Sequence, residues 1–579
     1  MADWKDLLSS FDTVLPPNKR ESSDLYSTFN TGLNPHGNKN KSESIEDSVI
    51  FGSDTGIVYS DSFALSQKFQ IPQEDVLAVF HKFIEDSRRL GYEWVFVDFC
   101  RHPHYFNSGF DKSWYTYLRY LHDLCKNNGW NTDISTTLMI VGGNDVIAAP
   151  QRVFEVDLLD LHAEIDLLYC FPYGFDLAEE FSHWVKHAKN NAEVYERLVS
   201  SALFNVSRIP LPDGQLKGQL TIEDTLQFYF DKVINRFPDM RIANVCMSTA
   251  NEFQTASVVM SSGLPLVSEN RDEIPLAPYG IYQSPYVDVT KGRPIDHPLD
   301  IYVADLHSAD VLLFNCHGSD IPSASCYGGV EKESQKWYSA FDTHIPDMTS
   351  VNKLTLSCAC WGARYMHYSQ ETSILLTSLY KSSVLTFAGS STIAWGSTSG
   401  GYSEVFVRMY IDFLNGGLNA GEAFLRAKLA YMASTRDGDR DTIYLTICEF
   451  NLFGDPKLSY KPCGEWRNTD MVPINLVSQK GLSAKSISTV TSLPALDEVY
   501  ESVQFAVNSS MATIDKMLRD YLGDKYSIRG LKLKGVKKKL KNGIFAGYKF
   551  YYSYFCGNEG LVMGITDNEG KSKDIIISK

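Results

Sequence analysis

The chain has 579 residues, a net charge of −16, and is 44% hydrophobic and 13% aromatic, which is too long for one core and too apolar for a disordered polymer. The acidic balance argues against a nucleic-acid partner gripped through phosphates, which needs a basic face. The opening Met1-Ala2-Asp3-Trp4-Lys5-Asp6 has no apolar segment behind it and no apolar run is long enough for a bilayer, so neither signal peptide nor membrane partner is expected. A cytoplasmic location follows, with non-classical secretion left open. Eleven cysteines scattered through strand-like segments fit a reducing compartment. No CxxC pair or histidine cluster points to zinc.

Residues 1–45, rich in Ser, Asn, Lys and Pro, read as an N-terminal arm or pro-segment without its own core. From there an α/β alternation begins. Ser48 to Tyr59 is strand-like, Gln73 to Leu90 helical, Glu93 to Asp98 a strand, Lys112 to Lys126 a helix, and Thr137 to Val141 a strand ending in Gly142-Gly143-Asn144-Asp145. Phe204 to Ile209 is a further strand and Thr221 to Arg236 a helix. Strands separated by helix-length spacers predict a mainly parallel sheet, and Pro238 closes this first unit, 46–238.

The second unit, 239–460, opens on the strand Ile242 to Met247, followed by Ser248-Thr249-Ala250-Asn251-Glu252. Beyond a loop carrying Glu269, Asp272 and Glu273, the run Val311-Leu312-Leu313-Phe314-Asn315-Cys316 breaks at His317-Gly318-Ser319. Another, Leu354-Thr355-Leu356-Ser357-Cys358, breaks at Ala359-Cys360. Short apolar runs stopped by turn residues are how strands covered on both faces look, and the chemistry of such sheets lies beyond the strands' carboxyl ends. A helix from Ser373 to Lys381 leads to the strand Ser383 to Ala388, which exits through Trp395. Helices follow around Ser403 to Leu414 and Ala420 to Ser434, then a last buried strand at Ile443 to Glu449 and a tight turn at Asn451-Leu452-Phe453-Gly454-Asp455-Pro456. Residues 461–494 read as a linker. A small C-terminal α+β module, 495–579, has one helix (Asp497 to Leu522) and strands at Tyr526 to Lys534, Gly547 to Phe555, Leu561 to Thr566 and Asp574 to Ser578.

A thiol is a strong nucleophile only as thiolate, so Cys360 needs an imidazole to take its proton, and His317 is that candidate. The backbone N–H groups of Gly318 and Cys360 are candidates for an oxyanion hole. Composition alone supplies about one His-Gly dipeptide by chance, and buried Cys is a common core residue. The informative feature is the pair: both dipeptides end apolar strands, His before Cys, about 40 residues apart.

The stretch from about Ser135 to Tyr460 resembles the gingipain-type family of caspase-like (clan CD) cysteine peptidases. His317-Gly318-Ser319 and Ala359-Cys360 match its two reactive motifs. Leu138 to Asn144, Asp166-Leu167-Leu168-Tyr169, Ser207-Arg208-Ile209-Pro210 and Leu452-Phe453-Gly454-Asp455-Pro456 resemble other family signatures in the family's order. The resemblance implies a caspase-like three-layer α/β/α sandwich in two tandem subdomains, the first non-catalytic. It implies peptide-bond hydrolysis in the second, with a protein or peptide as substrate and no cofactor required for the chemistry. It places Cys360 rather than Cys358 as nucleophile, and Asn251 or Glu252 as the residue orienting His317. It also implies Trp395 beside the pocket for the residue before the scissile bond. Glu269, Asp272 or Glu273 would be an acid selecting Arg or Lys there. Asp437, Asp439 and Asp441 offer alternating carboxylates to a structural calcium, or form a solvated loop. That loop and the arm are candidate cleavage sites of a latent form. The C-terminal module, basic at Lys532 to Lys541, would cover the site or recruit a regulatory partner. A non-catalytic caspase-like scaffold is the alternative, and ligation to an amine a third reading.

Overall fold

The computed structural model describes residues 55–156, 159–213, 220–237, 239–250, 253–267, 306–318, 350–366, 373–397, 401–434, 440–464, 466–467, 511–517, 531–541, 544–556, 558–566 and 572–578. Short strand pieces at 281–284, 287–288, 293–294, 328–330 and 337–339 are described as well. In chain order the first half contains β1 (Gly56–Ser60), α1 (Ser62–Phe69), α2 (Gln73–Arg89), β2 (Trp94–Asp98), α3 (Trp114–Asn127), β3 (Thr137–Val141), β4 (Gln151–Val156), β5 (Leu159–Glu164), α4 (Leu177–His187), α5 (Asn191–Ser201), β6 (Asn205–Ile209) and α6 (Phe228–Arg236). The second half contains β7 (Val245–Ala250), α7 (Gln254–Ser261), β8 (Ile281–Ser284), β9 (Val311–Asn315), β10 (Leu354–Ser357), α8 (Ile374–Lys381), β11 (Thr386–Ser390), β12 (Trp395–Ser397), α9 (Ser403–Asn415), α10 (Ala420–Ser434), α11 (Arg440–Glu449) and β13 (Phe450–Gly454). The C-terminal strands are β14 (Lys532–Lys541), β15 (Ile544–Cys556), β16 (Asn558–Thr566) and β17 (Ser572–Ser578).

Ten strands form one sheet in the order β2-β1-β3-β6-β13-β11-β10-β9-β7-β8. Within the first half β1, β2, β3 and β6 pair in parallel, and so do β7 to β11 within the second. The seam is β13, antiparallel to β11 and joined to β6 by a single bridge between Phe453 and Arg208. Strands such as β1, β3, β9 and β10 are buried along their whole length. A strand hidden at every residue must be covered on both faces, the mark of an α/β/α sandwich.

Two expectations are overturned at the seam. Residues 443–449, read as a strand, lie in helix α11, and the segment read as a tight turn is strand β13, with the turn displaced to its end. Ile443, Tyr444, Leu445, Ile447 and Cys448 are all buried, and a short helix enclosed on every side has the same apolar run as a covered strand. Gly454 ends β13 at a φ of 106°, where an added Cβ would meet the Tyr229 hydroxyl, so glycine alone fits. The hairpin β4–β5 and helices α4 and α5 were not read from the sequence at all.

The two halves are tied by buried polar groups. Arg208, fully buried, grips the Asp166 carboxylate through Nε (2.9 Å) and Nη2 (2.6 Å), and its Nη1 donates to the carbonyls of Gly142 (3.1 Å) and Ile147 (2.7 Å). The Asp166 N–H donates to Asn451 Oδ1 of β13 (3.2 Å), and Asn451 Nδ2 donates to the Glu164 carbonyl (2.7 Å). Burial, seconded by the Asp166 charge and opposed by Arg208, pushes the Glu164 carboxyl up to about 8. Removing one member of a buried, hydrogen-bonded ion pair strands its partner's charge. Arg208→Met should therefore cost about 3–5 kcal/mol in urea unfolding, and adding Asp166→Leu should return part of that loss. Between pH 4.5 and about 8 folded Glu164 keeps a proton that the unfolded chain has released, so its contribution to stability falls as pH rises. Glu164→Gln should thus gain on the wild type across that window by about 1.4 kcal/mol per pH unit, read from denaturant midpoints.

Candidate active site at the ends of β9 and β10

Strands β9 and β10 run side by side, with Val311 opposite Leu354 and Phe314 opposite Ser357. The ladder continues one step, the Cys358 N–H donating to the Phe314 carbonyl at 2.8 Å. Parallel registered strands leave the sheet at the same edge, so the His317 and Cys360 turns emerge together. They touch. A methyl group built on Gly318 would fall on the Cys360 carbonyl and lie 3.0 Å from the Cys360 nitrogen. Backbone meets backbone there, and only glycine allows it.

The cysteine turn is fixed on its other side by the exit of β11. The Trp361 N–H donates to the Thr392 carbonyl (2.7 Å) and the Ala363 N–H to the Ser390 carbonyl (2.9 Å). Trp361 itself has a φ of 50°, a left-handed conformation that costs an ordinary side chain free energy and marks a turn held by its surroundings. Cys360 is 2% exposed and His317 8%. The Cys360 thiol lies 3.6 Å from the Ala394 carbonyl, one residue before Trp395. Cys358 takes the opposite face: its sulfur lies 3.9 Å from Met260 Sδ and 3.7 Å from the Ser403 carbonyl, among the helices. It is a core thiol.

His317 packs its ring on Phe253, with centroids 5.2 Å apart and planes tilted by 53°. Beneath it, Asn315 Nδ2 donates to Ser257 Oγ (2.9 Å), which donates to Thr249 Oγ1 (2.8 Å). This buried chain binds the His strand to β7 and α7. Phe253, Ser257 and Asn315 were missed in the sequence, since nothing in their local pattern separates them from ordinary packing. Asn251, Glu252, Glu269, Asp272 and Glu273 lie outside the described residues, as do Asp437 and Asp439. Asp441 falls within α11. Trp395 is buried and starts β12, beside the thiol. Among the described residues no three His, Cys, Asp or Glu side chains gather as a metal site, and no helix is long and apolar enough to cross a membrane.

No family model matches the chain, and no curated protein does either. Among solved structures it is similar to the crystal structure of the Arg specific cysteine proteinase gingipain R (RGPB). The identity is 9% and the TM-score 0.41, over 91% of this chain and 92% of that one. A likeness at that level bears on neither chemistry nor substrate.

The contact between the two turns makes a sharp prediction. Gly318→Ala must push the His317 and Cys360 turns apart, costing about 1–3 kcal/mol of stability by overpacking. It should also lower alkylation selectivity at Cys360, because the thiol loses its fixed setting. Thermal unfolding with mass-spectrometric mapping of the labelled cysteines measures both.

Proposed function

We propose that the chain is a cysteine peptidase in which Cys360 is the nucleophile and His317 the proton carrier. The observation that carries this reading is the backbone contact of Gly318 with Cys360, which sets the two reactive residues on adjacent turns of one sheet edge. His317 takes the thiol proton as sulfur adds to the scissile carbonyl, and the oxyanion so formed is held by the N–H groups of Gly318 and Cys360. Collapse breaks the C–N bond, the amine leaves with the proton from His317, and a thioester remains. Water, deprotonated by His317, then adds to the thioester, and the carboxylic acid and free thiol are released. No cofactor enters these steps.

The finer reading is cleavage after Arg or Lys, with an acid among Glu269, Asp272 and Glu273 as the charge partner and Trp395 beside the side chain, in a caspase-like fold kept latent until activated. Asn251 or Glu252 is the orienting residue in this reading, and a calcium held by the 437–441 carboxylates would be structural. A non-catalytic scaffold stays as the second reading because both reactive side chains are so deeply buried. A peptide library in reducing buffer separates the two. Cleavage by the wild type that falls at least about 10³-fold in both Cys360→Ala and His317→Ala supports the peptidase, since residues acting as a unit lose nearly everything singly. Cleavage surviving either substitution assigns it to another group.

A further inference from the structure

Strand β12 stands apart from the ten-stranded sheet. It forms the edge of a second sheet in the order β12-β17-β16-β15-β14, whose other four strands all come from the C-terminal module. Its three residues pair antiparallel with the last strand of the chain: Trp395 with Ser578, Gly396 with Ile577 and Ser397 with Ile576. The residue before β12, Ala394, holds the Cys360 thiol at its carbonyl. Strand β17 therefore runs along β12 with its carboxyl-ward end leading toward the sulfur.

That polarity has a chemical meaning. In acyl transfer to a thiol, the part of the peptide before the scissile carbonyl stays bonded to sulfur while the amine departs. A chain that grips its substrate must hold those residues, and an open strand edge next to the thiol does so through main-chain hydrogen bonds that accept almost any sequence. An acyl donor laid antiparallel on β12 would run in the direction of β17. The Trp395 indole N–H is buried and has no hydrogen-bond partner among the described residues, a donor that a bound group could satisfy. Tyr402, which bridges to Gly396, has a φ of 48° and ψ of −116°, so Tyr402 itself is held in a strained conformation against β12.

Resting on the peptidase reading above, we propose that β17 occupies the acyl-donor position on β12, so that the resting chain is latent and an extended peptide gains the thiol only when β17 leaves. Substrate and C-terminal strand then compete for one edge, the strand with the advantage of being on the same chain.

The full-length chain carrying Ile576→Pro or Ile577→Pro tests this. Consecutive residues of a strand point their N–H groups to opposite neighbours, so one of the two substitutions removes a donor from the β12 side. If the proline instead loosens the whole module, β17 still leaves β12. Three quantities are read: the rate at which a peptidyl chloromethyl ketone alkylates Cys360, the hydrogen exchange of residues 395–397, and peptide hydrolysis. The expected result is faster exchange at 395–397 with alkylation raised by about 10²-fold, reversed by a synthetic peptide of residues 572–579. Faster exchange with unchanged alkylation overturns the proposal, as does protection of 395–397 that survives both substitutions. Alkylation that rises without any hydrolysis keeps the latch and removes the peptidase reading, so the two fail separately.

Discussion

The constraint on which the candidate site depends is the absence of a side chain at Gly318. Two turns from strands β9 and β10, far apart along the polymer, can bring their main chains into contact only if one contributes no Cβ. The parallel register places the turns at the same edge, but register alone would leave them a side chain apart. Closing that gap determines how near an imidazole on one turn stands to a sulfur on the other.

The cysteine turn is supported from below by the first half of the chain. Trp361 and Ala363 hang on the carbonyls of Thr392 and Ser390. Ser391, between them, donates through its N–H to the Glu449 carbonyl and through Oγ to the Glu164 carbonyl. Asn451 connects that carbonyl to Asp166, and Asp166 to Arg208. A half that carries neither His317 nor Cys360 thus acts as the abutment for the half that carries both. The positive φ at Trp361 is sustained because hydrogen bonds on both sides over-determine the turn.

The parallel strands were legible because each is a continuous apolar run with a turn residue at its end, and the His and Cys turns came with them. What the sequence concealed was mostly a matter of distance. Asp166 and Arg208 stand out as separate motif positions, yet nothing local says that they pair. Lys232 looks like a solvated helix lysine, but it is buried and donates to the carbonyls of Leu379, Ser382 and Val384, capping the end of α8. Helix α11 hid inside an apolar run because enclosure on all sides erases periodicity. Strand β12 has three residues and too little pattern to register, and its partner lies almost two hundred positions further on. The basic run from Lys532 to Lys541 read as a charged strip, and it is a strand at the sheet's far edge.

The asymmetry between the two sheets bears on how readily the site could open. The ten-stranded sheet carries the core, and strands such as β1, β3, β9 and β10, buried along their whole length, could not leave it without exposing apolar surface on both faces. The C-terminal sheet meets the body's β12 over three registered pairs. Three antiparallel pairs hold about two to four backbone hydrogen bonds, so at a net value of about 1 kcal/mol each the ladder among the described residues is worth about 2–4 kcal/mol, and its opening is a local event well below global unfolding. A gap of that size leaves roughly one molecule in a hundred open. Such a chain would be quiet rather than dead. A peptide or partner that favours the open form by a few kcal/mol would reverse the populations without disturbing the strands that hold His317 and Cys360.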